Sequence, residues 1–234
     1  MCNPLFFAGH SLGEFSALVA SQSLSYEKGL ELVKIRSQCM QQACERYHGT
    51  MAAIMGLEVN KVQEICAKSE AETGGTAVIA NYNSKMQLVI SGDIETIELA
   101  MKIAVTYGAL KVVRLKVNGA FHSPLFTEAN DEFKQHLSPS LFQTPLAPVV
   151  MNVSGLPIQH HVDIYQGIKE QMISPVLWKN VVETLITQSV ELIVEIGPNK
   201  VLTGLIRSID RSQKVWNVND MKSFKQFIRQ SIYV

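Results

Sequence analysis

The sequence is short of charge and of cysteine, and each shortage narrows what the chain can be. Charged residues are 18% of the 234, with 21 Lys and Arg balancing 21 Asp and Glu, so the formal net charge is zero. No basic block offers itself to a phosphate backbone, which argues against nucleic acid as a partner. No apolar run approaches the roughly 20 residues that a membrane helix needs. The opening MCNPLFFAGHS has neither the basic region nor the long apolar segment of a signal peptide. Cys2, Cys39, Cys44 and Cys66 have no metal-like spacing with the six histidines. Cys39 and Cys44 fall in a helical pattern and read as packed thiols, so a reduced, cytoplasmic setting is expected. Repeats and low-complexity tracts are missing as well.

What is present is 47% apolar, the balance of a globular chain with a real core. Five apolar residues, Pro4 to Ala8, lead to a helical pattern over 12–20. Ser25 is placed to cap a longer helix over 26–46. The next block reads strand 51–57, helix 59–70, strand 76–84, strand 86–93, helix 94–109 and half-exposed strand 110–117. This βαββαβ order is the split pattern of a ferredoxin-like unit. The remainder reads as helix 122–137, buried strand 147–155, helices 164–172 and 178–188, strand 190–198, helix 201–209 and strand 214–218. Strands alternating with helices predict a mostly parallel sheet, with reactive groups at the carboxyl ends of its strands.

Gly9-His10-Ser11-Leu12-Gly13 fits G-x-S-x-G. The spacing suits a nucleophile on a sharp strand-to-helix turn, where flanking glycines avoid clashes. The N–H of Leu12 and the positive helix end then face the space beside Ser11 Oγ. The competing reading is a Gly-rich turn with Ser11 as a helix cap. A serine nucleophile needs a base. His10 adjoins it, but its side chain is expected to diverge. His48, His136, His160 and His161 lie in polar surroundings. His122 follows VNGAF beyond strand 110–117, where a sheet protein places a reactive group. Its alternative is a loop histidine capping the next helix. No Asp or Glu stands out as a third member, and a main-chain carbonyl can orient an imidazole equally well. Arg36 sits amid Leu32, Val33, Cys39, Met40 and Ala43 on the apolar face of helix 26–46. A guanidinium there needs an anion: an Asp or Glu of the chain, or a substrate carboxylate.

Taken together, these segments resemble the malonyl-CoA:acyl carrier protein transacylase family and the acyltransferase domains of polyketide synthases. GHSLGEFSALVA is similar to the family's nucleophile turn, LVKIRSQCMQQA (32–43) to its arginine segment and GTMAAIMGL (49–57) to the start of its small subdomain. GAFHSPLF (119–126) is similar to its histidine segment, and PVVMNVSG, SPVLW and VEIGPNKVLTGLIRSI follow in the family's order. The resemblance implies an α/β fold, with an α/β-hydrolase-like parallel-sheet core (1–48 and 119–234) and an inserted ferredoxin-like subdomain (49–118). It implies ping-pong transfer of malonyl from coenzyme A, through an ester on Ser11, to the phosphopantetheine thiol of an acyl carrier protein. His122 is then the base, the Leu12 N–H an oxyanion donor and Arg36 the holder of the malonyl carboxylate. A backbone carbonyl near Gln171, with Asn152 nearby, is expected to orient His122. His10, Phe121, Asn81 and Asn83 are expected around the substrate, Phe121 leaving little room for an α-methyl branch. Against that, Asn81 and Asn83 also fit turn and strand-edge roles, and Phe121 an ordinary core ring. No resident cofactor is implied, and a ketosynthase or larger synthase assembly is a further expected partner. The family pattern also has a strand and a Gly-Gln motif before the serine. Here the turn is reached by Ala8 and no G-Q-G motif occurs, so the N-terminal part is expected to be missing and this chain alone weakly active and prone to aggregate. Two competing readings remain: a serine hydrolase acting on acyl carrier proteins, and a non-catalytic docking module of a synthase.

Overall fold

Glycine, a capping serine and apolar spacing set the first elements. The computed structural model describes residues 3–231; Cys2 lies outside them. Strand β1 (Phe7–Ala8) runs through the turn at Ser11 into helix α1 (Leu12–Ala20). Helix α2 (Tyr26–Arg46) starts where the Ser25 side chain accepts the Lys28 N–H. This satisfies a donor that the first helical turn cannot use itself.

Strand β2 (Gly49–Met55), helix α3 (Val59–Thr73), strands β3 (Ala77–Ser84) and β4 (Gln87–Asp93), helix α4 (Ile94–Thr106) and strand β5 (Lys111–Arg114) follow. The strands form an antiparallel sheet in the order β3-β4-β2-β5. One face packs Ala52, Ile54 and Ile90 against Val62 and Ile65 of α3 and Ile97 and Ala100 of α4. The other carries Met51, Ala53, Ala80 and Val89, with Phe121 packed on it. Both faces are covered, which is why β2 reads as a continuous apolar run.

Beyond β5 the chain passes through a 3-10 turn (Pro124–Phe126) into helix α5 (Thr127–Lys134). Strands β6 (Val149–Val150) and β7 (Pro157–Ile158), helices α6 (His161–Glu170) and α7 (Trp178–Thr187), strand β8 (Leu192–Ile196), helix α8 (Val201–Ile209), strand β9 (Lys214–Val218) and helix α9 (Met221–Ser231) complete the fold. β1 pairs with β6 in parallel, β7 is antiparallel to β6, and β8 pairs with β9 in parallel. The single mostly parallel sheet expected from the sequence is thus two small sheets among the described residues. The strand expected over 147–155 stops at Val150, because the chain turns back on itself. Gly155 takes a left-handed conformation, its N–H reaches Met151 O, and the Met151 N–H reaches Leu156 O. The helix expected from His122 starts only at Thr127, because His122 has φ 58° and Pro124 follows.

One connection brings the two halves together over the site. Val176, in the loop before α7, joins the outer edge of β3. Its N–H donates to Ala80 O at 2.8 Å, and its carbonyl accepts the Tyr82 N–H at 2.9 Å. No helix among the described residues is long and apolar enough to cross a membrane.

Candidate active site

Ser11 stands between β1 and α1 with φ 51° and ψ −107°, a backbone conformation unfavourable for an L side chain. Gly9 permits it: a Cβ there would lie 2.0 Å from the carbonyl oxygen of Gly13. Gly13 differs from expectation, since a Cβ at that position meets nothing within 4 Å. The clash argument applies to one of the two glycines only. Asn152, just past β6, clamps the turn. Its Oδ1 accepts the Ser11 N–H at 2.7 Å, and its Nδ2 donates to Gly9 O at 2.7 Å. The Ser11 side chain makes no capping hydrogen bond to α1. It lies instead 2.7 Å from His122 Nε2.

His122 is buried, and its Nδ1 lies 3.0 Å from two carbonyl oxygens, those of Gln171 and Ser174. Carbonyls only accept, so Nδ1 carries the proton and Nε2 is the acceptor for the Ser11 hydroxyl. Burial first, then the nearby positive charge of Arg36, lower the imidazole pKa to about 4, against the raising effect of the two carbonyls. The ring is neutral at pH 7 and can take the serine proton. The left-handed turn at His122, after Gly119-Ala120-Phe121, aims it back at α1.

Arg36 is 4% exposed on α2. One terminal nitrogen donates to Ser11 Oγ at 3.2 Å, and its Nε donates to Gln171 Oε1 at 3.1 Å. The guanidinium also lies 5.9 Å from the centre of the Phe15 ring. Among the described residues, no carboxylate forms an ion pair with it. Burial lowers its pKa to about 10, and the charge of Glu14 opposes the shift. Glu14 is fully buried, and burial raises its carboxyl pKa to about 7.

The other expected residues have contacts of their own. His10 turns away from Ser11 and hydrogen-bonds Asn83 Oδ1 on β3 at 2.9 Å, with its ring against Trp178; burial lowers its pKa. Asn81 is buried on β3 and bridges to Val176 through the backbone. Phe121 packs edge-on to Phe126 and faces the small sheet. Leu12 opens α1, so its N–H belongs to the donors that a helix cannot use internally. Asn152 requires a correction. It does not orient His122; it holds the serine turn, because its amide matches the free N–H of Ser11 and the free carbonyl of Gly9. The orienting carbonyls are those of Gln171 and Ser174, and Ser174 was missed. His48, His136 and His160 are exposed and His161 is half-buried, all outside the site.

Sequence reasoning also missed Glu14 and the side-chain role of Gln171. The spacing Ser11-x-x-Glu14 is that of a capping box, a pattern that turns the Glu side chain back toward the helix start but does not tell that it is buried. Here the carboxylate reaches Asn152 rather than the Ser11 N–H.

A hydroxyl bonded to a neutral imidazole, with a helix start beside it, can carry an acyl group as an ester, and the adjacent guanidinium suits an acyl group that is itself anionic. This places the molecule among serine-dependent acyl-group enzymes. The family described as acyl transferase domain matches residues 2–229. The chain is 36% identical over 226 residues to a malonyl CoA-acyl carrier protein transacylase of Bacillus subtilis, covering 97% of this chain and 71% of that one. It superposes with TM-score 0.92 on a malonyl-CoA:acyl carrier protein transacylase from Xanthomonas oryzae pv. oryzae, at 36% identity, covering 97% of this chain and 72% of that one. It also superposes with TM-score 0.93, at 33% identity, on a structure of a type II PKS acyl-carrier protein in complex with its malonyl-transacylase, covering 98% of this chain and 74% of that one. The chain belongs to the acyl transferase domain family.

Proposed function

We propose that this protein transfers a malonyl group from coenzyme A to the phosphopantetheine thiol of an acyl carrier protein, in fatty acid or polyketide synthesis. The observation that carries the reading is Arg36: a buried guanidinium, 3.2 Å from the serine oxygen, with no carboxylate of the described chain paired to it. The free carboxylate of a malonyl group supplies the missing anion and is held by the planar fork. In the first half-reaction His122 Nε2 takes the proton from Ser11 Oγ, which attacks the thioester carbonyl. The oxyanion of the tetrahedral intermediate faces the Leu12 N–H at the start of α1. The C–S bond breaks, coenzyme A leaves with the proton from His122, and malonyl remains as an ester on Ser11. In the second, His122 takes the proton from the carrier's thiol, the sulfur attacks the ester, and Ser11 recovers its proton. Coenzyme A and phosphopantetheine are substrates here, and the chemistry calls for no resident cofactor. Phe121, Asn81, and the His10–Asn83 pair line the approach to the serine, and a cytoplasmic setting fits the pathway.

The same reading divides the chain into a core of 1–48 and 119–234, of α/β-hydrolase-like character, and a subdomain of 49–118. The strand order β3-β4-β2-β5 with α3 and α4 on one face supports a ferredoxin-like assignment for the subdomain. The test is mass spectrometry after mixing with malonyl-CoA. One malonyl adduct on the peptide holding Ser11, discharged by the thiol of a holo carrier protein, is expected. Adduct lost to water at the same rate with or without carrier identifies a hydrolase. No adduct leaves a docking module and overturns the proposal.

A further inference from the structure

Glu14 is a fully buried carboxylate that the reaction just described does not use. It lies one helical turn past the nucleophile on α1, and both oxygens are engaged. Oε1 accepts the backbone N–H of Asn152 at 2.6 Å, and Oε2 accepts Gln171 Nε2 at 2.7 Å. The same Gln171 nitrogen donates to Ser11 O at 3.0 Å. Its two amide hydrogens are therefore spoken for, and Oε1 is left to face the guanidinium, accepting Arg36 Nε at 3.1 Å. A chain of hydrogen bonds runs Glu14–Gln171–Arg36–Ser11, entirely within hydrogen-bonding distance.

We propose that Glu14 is a positioning residue for the acyl group's carboxylate: it fixes the orientation of the Gln171 amide, which in turn aims Arg36 at the space beside Ser11. The inference rests on the reading that Arg36 holds a malonyl carboxylate. Its logic is one of donors and acceptors. Both of Glu14's partners are donors, and one of them is backbone and cannot turn. A glutamine at position 14 can accept only from Asn152 and presents an NH2 to the Gln171 NH2. The Gln171 amide then flips, its nitrogen meets Arg36 Nε donor to donor, and the guanidinium is displaced. The backbone carbonyl of Gln171 that orients His122 is untouched by that flip, so the attack on a neutral acyl thioester suffers less than the attack on malonyl.

The experiment measures Ser11 ester formation from malonyl-CoA and acetyl-CoA over a range of concentrations at about pH 8, where Glu14 is ionised, with melting temperatures alongside. The full chain is used, as wild type, Glu14→Gln, Gln171→Leu, the double variant and Arg36→Ala. Glu14→Gln is expected to lower the malonyl-over-acetyl preference about tenfold or more, chiefly through KM for malonyl-CoA. Gln171→Leu breaks the same link from its other end and is expected to do the same, with little added by combining the two. A loss of stability alone slows both donors equally and leaves the preference unmoved. If Arg36→Ala loses the preference while Glu14→Gln and Gln171→Leu keep it, the inference about Glu14 is overturned and the role of Arg36 stands. If Arg36→Ala also keeps it, the reading of Arg36 itself fails. Should Glu14→Gln not fold, Gln171→Leu decides the question.

Discussion

His122 works in an environment that removes its positive charge. Its pKa of about 4 comes mainly from burial, with Arg36 adding to the shift. The acid limb of kcat/KM for ester formation reports this ionisation in the free enzyme. With acetyl-CoA, whose attack makes no use of the Glu14–Gln171–Arg36 link, activity is therefore expected to hold from pH 7 down to about 5 and fall only near pH 4, rather than near the ordinary imidazole value. Replacing Arg36 with Ala removes a cation that disfavours imidazolium, so the same limb moves to higher pH. A pH–rate profile of acetyl loading in wild type and in Arg36→Ala checks the value and the direction. An acid limb near 6.5 in the wild type would refute the assignment of a buried base. Arg36 itself shows how an apolar helix face can house a cation: Phe15 lies beside it, and Gln171 Oε1 and Ser11 Oγ accept its hydrogens.

The turn between β1 and α1 depends on a glycine at one place and tolerates a side chain at another. Gly9 lies under the first turn of α1, so a methyl group there collides with Gly13 O at 2.0 Å. Relieving that contact moves the helix start, and with it the Leu12 N–H and Ser11 Oγ. Gly9→Ala is expected to cost ~1–3 kcal/mol in stability and to abolish most ester formation. Gly13→Ala adds a Cβ in open space and replaces a glycine near the start of a helix by a better helix former. It is expected to melt no lower than wild type and to keep most of its activity. Thermal melts and malonyl loading of the two variants test the contrast. Elsewhere on the chain a different device sets a helix start: Glu195 on β8 accepts the N–H groups of Leu202 and Thr203 and so caps α8 from a neighbouring strand.

The site also leaves a signature on the stability of the whole protein against pH. His122 has its pKa depressed from 6.5 to about 4 on folding. As pH falls through that window the unfolded chain binds a proton that the native one refuses, so stability drops. Glu14 has its pKa raised from 4.5 to about 7. Between those values the native state holds a proton that the unfolded one releases, so this group's contribution is present below 4.5 and lost as pH rises through 7. The two slopes oppose each other between pH 4.5 and 6.5. Glu14→Gln removes one of them. Its unfolding free energy, from denaturant titrations at pH 5, 6 and 7, is expected to rise more steeply with pH than that of wild type. An equal or shallower rise would show that Glu14 does not titrate as its burial dictates.

Local patterns in the chain carried the outline of this protein. Ser25 at the start and the 3.6-residue apolar spacing that follows give α2 its bounds, and α8 and β9 also fall where the sequence places them. Ser11, His122 and Arg36 stood out because each is locally odd: a serine among glycines, a histidine past a strand end, a cation on an apolar stripe. The structure brings the three to within hydrogen-bonding distance of one another through Ser11 Oγ. Short-range signals could not supply the groups that hold them there. Asn152 contacts Ser11 across 141 residues of chain, Gln171 contacts Arg36 across 135, and Asn152 reaches Glu14 across 138. Propensity and periodicity describe how a segment bends and which side it buries. Which buried donor meets which buried acceptor depends on how distant segments pack, and here the shared core of α1, α2, β6 and α6 makes that choice.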